Sequence, residues 1–143
     1  MRKLFSAVAL GGALVALGIG VASAAPSKAT VQLKPPANTH MMAIAHAFGT
    51  ANITYTAHDA NIKLTTDNLP KPSAIHEAAY VLWLVHGKQK ANAGALKING
   101  NMAGLHAMTM NTTFTKLVVT AEKMATEKTP MGPQVLVGNV MHH

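Results

Sequence analysis

The residues best suited to chemistry are histidine and methionine. The 143-residue chain carries eight His and nine Met but no Cys. They gather at His40-Met41-Met42 with His46, at Met102 with His106-Ala107-Met108-Thr109-Met110, and at Met141-His142-His143. Imidazole and thioether together suit copper, and thioether favours Cu(I). In an extended strand His106, Met108 and Met110 lie at i, i+2 and i+4 and point the same way. They are the predicted nucleus of a metal site, with Met102 or His142 completing it. Cu(I) is expected over Zn(II), because thioethers are poor zinc ligands and the cluster holds no Cys or acid. Methionine is also a flexible filler of cores, so ordinary strand packing accounts for the same residues. Copper apart, no cofactor is expected.

Other chemistry finds little material. Past residue 24 the serines are Ser27 and Ser73. Ser73, His76 and Glu77 lie within one turn, which does not build a relay whose members the fold must bring together. The acids are Asp59, Asp67, Glu77, Glu122 and Glu127, with no pair set as an acid/base couple. There is no phosphate-cradling glycine loop. A non-enzymatic protein is expected.

The elements that would position these residues read as strands. Ala51 to Ala57 alternates apolar and polar, and Ile62 to Thr66 repeats the pattern after a His58–Asn61 turn. Ala78 to Val85, AAYVLWLV, is a continuous apolar run and reads as the central buried strand. Gly87 to Gly94 reads as a polar turn. Ala95 to Gly100 is a strand ending in the hairpin signal Asn99-Gly100. Phe114–Glu122 and Val135–Met141 complete the set. Thr39 suits the cap of a short helix through Phe48. Short strands between Gly, Pro and Asn turns predict an all-β fold, an antiparallel β-sandwich of the immunoglobulin-like two-sheet kind.

The N-terminus predicts export. Met1-Arg2-Lys3 is a basic start, Leu4–Val21 is apolar but diluted by glycines, and Ala22-Ser23-Ala24 is a small-x-small cleavage pattern. The expected organisation is a signal peptide over 1–24, a flexible leader over 25–37 and a domain over 38–143. Retention as an uncleaved anchor is the alternative. The expected location is periplasmic or extracellular. A domain without cysteine must hold by packing alone. Net charge is +7, and ten Lys against five acids leave +5 after residue 24. That remainder contains no Arg, the usual reader of phosphate and guanine, and its lysines are scattered. Nucleic acid is not expected as a partner. Loose association with an anionic membrane surface fits the charge.

Four blocks in the second half carry a resemblance. They are Tyr80-Val-Leu-Trp83-Leu84-Val85-x-Gly87, Ala93-Gly94-x-Leu96, Phe114-x-x-Leu117-x-Val119-Thr120-x-Glu122 and Pro130-x-Gly132-Pro133-x-Val135-Leu136-x-Gly138. In order and spacing they resemble the extracytoplasmic domain of anti-sigma-K (RskA-type) factors. Phe48 to Leu69 fits the start of that domain, so the resemblance covers roughly residues 48–141. The family's cytoplasmic sigma-binding domain has no counterpart here, so a direct grip on a sigma factor is not expected. Lys123–Lys128 replaces the family's glycine-rich bend. The resemblance implies a sandwich fold outside the cytoplasm, and an envelope sensor or binding module whose partner is an envelope protein or small ligand. Trp83 should fill the sandwich core and seek a partner for its indole N–H. Thr120 suits an outward or edge position, and Gly132 a turn closed to other residues.

Overall fold

The computed structural model describes residues 27–37, 39 and 41–141. The expected signal peptide lies outside the described residues, as do His40, His142 and His143. Among the described residues nine strands follow in order: β1 Ser27–Leu33, β2 Phe48–Tyr55, β3 Ala60–Asp67, β4 Ala79–His86, β5 Gln89–Ala95, β6 Lys97–Asn99, β7 Met102–Thr109, β8 Lys116–Glu122 and β9 Gln134–Asn139. All pairings are antiparallel. One sheet runs β1-β2-β3-β7-β6 and the other β5-β4-β8-β9. The fold is therefore the expected two-sheet antiparallel β-sandwich.

Alternation places the core between the sheets. Ala51 and Ile53 of β2, Ile62 and Leu64 of β3, Leu82 and Leu84 of β4, and Leu117 and Val119 of β8 all point inward and are buried. β4 lies between β5 and β8, the central place that its apolar run predicted. The chain changes sheets at Leu96, whose N–H bonds to Tyr80 O just past β5. β9 meets β1 at a two-way bridge, Lys34 N–H to Val137 O at 2.9 Å and the reverse at 2.7 Å. Gly138 permits this closure, because a Cβ there would sit 2.6 Å from Gln32 O.

The structure corrects four expectations. Ser27–Leu33, expected within a flexible leader, is strand β1 and pairs with β2 along its whole length. The short helix over Thr39–Phe48 is a single 3-10 turn, Met42–Ile44. Gly87–Gly94, expected as a turn, is mostly β5; the tight turn needs only Gly87 and Lys88, and Gly87 supplies φ +61°. Trp83 does not fill the space between the sheets. It points outward from β4 and is nevertheless fully buried, in a second apolar cluster with Val81, Val85 and Val118 on the outer face of that sheet.

Candidate functional site

The second cluster exists because a loop covers it. Trp83 pairs with Val118 on β8 and with Asn92 on β5. A register shift between Leu82 and Trp83 turns Asn92 toward the segment 123–133 that joins β8 to β9. The Asn92 amide donates to Ala125 O and Glu127 O, both at 2.9 Å, and accepts from Gly94 N–H at 2.8 Å. It thus ties down the near part of the loop.

The far part is held by a buried polar chain. The Trp83 indole N–H donates to Thr120 Oγ1 at 2.7 Å. Thr120 donates in turn to a carboxylate oxygen of Glu122. Glu122 accepts from Gly132 N–H at 2.9 Å and from Met131 N–H at 3.1 Å. Both Thr120 and Glu122 are fully buried. Thr120 and Glu122 share the outward face of β8 by strand alternation, as Thr120 was expected to, and the loop converts that face into an interior. Ala121 N–H bonds to Pro133 O at 3.0 Å, pressing the loop onto the strand. A Cβ at Gly132 would lie 1.7 Å from Ala121 O, so no larger residue fits this approach.

Beside this chain, Lys123 Nζ lies 3.3 Å from Glu77 Oε1 and donates to His76 O at 2.6 Å. A small cavity of about 250 Å³ there is lined by Glu77, Glu122, Lys123, Glu127, Met131 and Gly132. Asn92, Thr120 and Glu122 are thus committed to holding the loop. Tyr80, in the inter-sheet core, is similarly occupied: its hydroxyl donates to Pro70 O at 2.6 Å, and burial pushes its pKa up to about 12.

The residues predicted to bind metal lie on the opposite side of the sandwich. His106 and Met108 share the outward face of β7, as a strand requires, and Met110 follows just past the strand end. Met108 is 70% and Met110 83% exposed. Met102 occupies the same face opposite Asn99. The registered neighbours of His106 and Met108 on β3 are Lys63 and Asn61. Among the described residues no three His, Asp or Glu side chains gather as a metal-holding group. His106 instead joins Lys63, Thr65, Lys97 and Gly104 around an open groove of about 550 Å³. Sequence reasoning missed this grouping, since Lys63 and Lys97 become neighbours only through pairing of β3, β7 and β6.

It also missed Glu122 as the centre of the loop anchor. The available signal was Thr120-x-Glu122 at strand spacing in a strand facing a tryptophan, followed by a glycine between two prolines.

A family model described as anti-sigma-K factor rskA, C-terminal, matches residues 5–134. That span contains Trp83, Thr120, Glu122 and Gly132, the four residues that the fold links into one hydrogen-bonded chain. No curated protein and no solved structure matches the chain.

Proposed function

This chain belongs to the anti-sigma-K factor rskA C-terminal family, and on that premise we propose that it is a non-enzymatic binding module of the cell envelope. One observation carries the reading. The family's polar motif residues are spent on shutting a loop over Trp83 and are not offered to a substrate. What remains exposed is a broad strand face, a surface for binding. The work of such a module is to hold or sense an envelope partner.

The basic, apolar and small-x-small start supports action outside the cytoplasm. The family match begins at residue 5, inside the apolar stretch. That stretch serves export whether it is cleaved after Ala24 or kept as an anchor. Among the described residues no helix is long and apolar enough to cross a membrane.

In-cell cross-linking through a photoreactive residue on the outer face of β3 or β7, followed by mass spectrometry, tests the reading. A recurrent envelope protein at the cross-link is the expected result. Robust hydrolase activity in the purified protein would overturn it.

A second reading, copper binding, is favoured by one observation: His106 and Met108 stand side by side on an exposed face. Lys63 opposite His106 opposes it, since an ammonium there repels a cation. Competition with a Cu(I) chelator, on wild type and on the Met108→Leu, Met110→Leu variant, separates the cases. Equal competition by both proteins would return these residues to the strand surface.

A further inference from the structure

We propose that the free edge of β7 from Leu105 to Thr109 is a docking edge for an extended acidic peptide segment, which adds to the sheet as a further strand. The inference rests on the binding-module reading and names the kind of partner. β6 covers only Met102–Gly104 of β7 before the chain crosses to the other sheet at Leu96. Past Gly104, the pairing of β7 among the described residues is with β3 alone. Along these five residues the backbone donors and acceptors that point away from β3 form one unpaired row, the template that strand addition uses.

Edges of this kind are usually blunted by proline, by lysine or by a covering segment. The sequence LHAMT contains neither proline nor lysine. The β1 edge, at the far side of the same sheet, is bridged by β9 through Lys34 and Val137.

Charge decides the occupant. An added strand would continue the line of β6, with Lys97 at its end and His106 beside it. Lys63 lies one strand further across, roughly 10 Å away and within a Debye length. The groove of about 550 Å³ at this place is lined by these three side chains together with Ala95 and Leu105, and no carboxylate lines it. Carboxylates on the outward face of an incoming strand would answer those charges. Met108 and Met110, both highly exposed, add adaptable apolar contacts that fit varied side chains.

The test uses a fluorescent peptide alternating glutamate and valine, titrated into the full chain at low salt. Saturable binding is expected, with new amide exchange protection confined to Leu105–Thr109. A peptide alternating lysine and valine should not bind. Of two acidic peptides N-methylated at alternate residues in opposite phases, the one whose methyl groups face β7 should not bind, while the other keeps its hydrogen-bonding edge and should bind. The Lys63→Glu, Lys97→Glu variant should bind about tenfold more weakly. Both positions are exposed, and the near-ultraviolet signal of Trp83 checks that the variant is folded. Undiminished binding of both N-methylated peptides, displacement by an acidic polysaccharide, protection elsewhere or no binding would each overturn the proposal. If envelope cross-linking recovers a partner while the peptide fails, this edge is wrong and the binding-module reading stands.

Discussion

The Trp83 indole N–H lies 2.7 Å from Thr120 Oγ1, joining β4 to β8 on the outer face of their sheet and beneath a loop. The hydroxyl is both acceptor and donor, since it passes its own proton to Glu122. The tryptophan is thereby linked to the β8–β9 loop through three successive hydrogen bonds. A sandwich has one core between its sheets; this one adds a second outside, and the polar chain is what closes it.

Removing the middle link should therefore cost more than its size suggests. Thr120→Val keeps shape but leaves the buried Trp83 N–H without an acceptor and Glu122 short of one donor. A loss of about 2–4 kcal/mol is expected in urea unfolding followed by the fluorescence of Trp83, the only tryptophan. Thr120→Ser keeps the hydroxyl and should lose about 1 kcal/mol, from the missing methyl. Equal losses in both variants would mean that packing, and not the hydroxyl, holds the site.

Glu122→Gln conserves volume and changes only the hydrogen-bonding pattern. The carboxylate accepts from Thr120, Met131 and Gly132 and donates nothing. A glutamine must turn its NH2 toward either the loop amides or Thr120, setting donor against donor or leaving the hydroxyl proton stranded. A loss of about 2–3 kcal/mol is expected. Faster amide exchange should appear first at Met131 and Gly132, before the strands open.

Alkaline pH should act through Tyr80. Burial raises its pKa from 10.0 to about 12, so the folded state holds this proton more tightly than the unfolded chain. Its contribution is complete below pH 10 and is lost as pH rises toward 12, a total of roughly 2–3 kcal/mol. Tyr55 is shifted the same way by burial. Tyr80→Phe gives up the bond to Pro70 O and should start about 1 kcal/mol less stable at neutral pH. Its stability should then fall less between pH 10 and 12, so the two curves meet and cross within that window. Parallel curves across that window would remove Tyr80 as the cause.

What the sequence disclosed, and what it hid, follows from the same physics. Alternation in Ala51–Ala57 identified a strand, because one face meets a core and the other water. The run AAYVLWLV gave a central strand but not the place of Trp83. A strand apolar on both faces looks the same whether a sheet or a loop covers its far side. The covering loop, Lys123 to Pro133, has no period to read. β5 went unread because QKANAGA has few of the β-branched or aromatic residues that mark strands. β1 was hidden beside Pro35-Pro36, although Val31 and Leu33 alternate inward. His106 and Met108 were placed on one face correctly, since period two is fixed by the backbone. Their neighbours Lys63 and Lys97 come from distant strands, and pairing register is not written in any one segment.

The two glycines Gly132 and Gly100 separate steric closure from backbone freedom. A Cβ at Gly132 would stand 1.7 Å from Ala121 O, a backbone atom that β8 holds in place. Gly132→Ala must therefore lift the loop, break the Gly132 N–H bond to Glu122 and admit water to Trp83. A loss of about 3 kcal/mol or more is expected, with a red shift of tryptophan emission in the folded protein. Gly100 has φ +66° in the β6–β7 turn, but nothing lies within 4 Å of its Cβ position. Gly100→Ala carries only the cost of a left-handed conformation, about 1 kcal/mol, and should leave the emission spectrum unchanged. If Gly132→Ala were as mild as Gly100→Ala and kept the wild-type spectrum, the loop would not be the cover of the second core. The ordering therefore tests the arrangement on which the reading of the family motif depends.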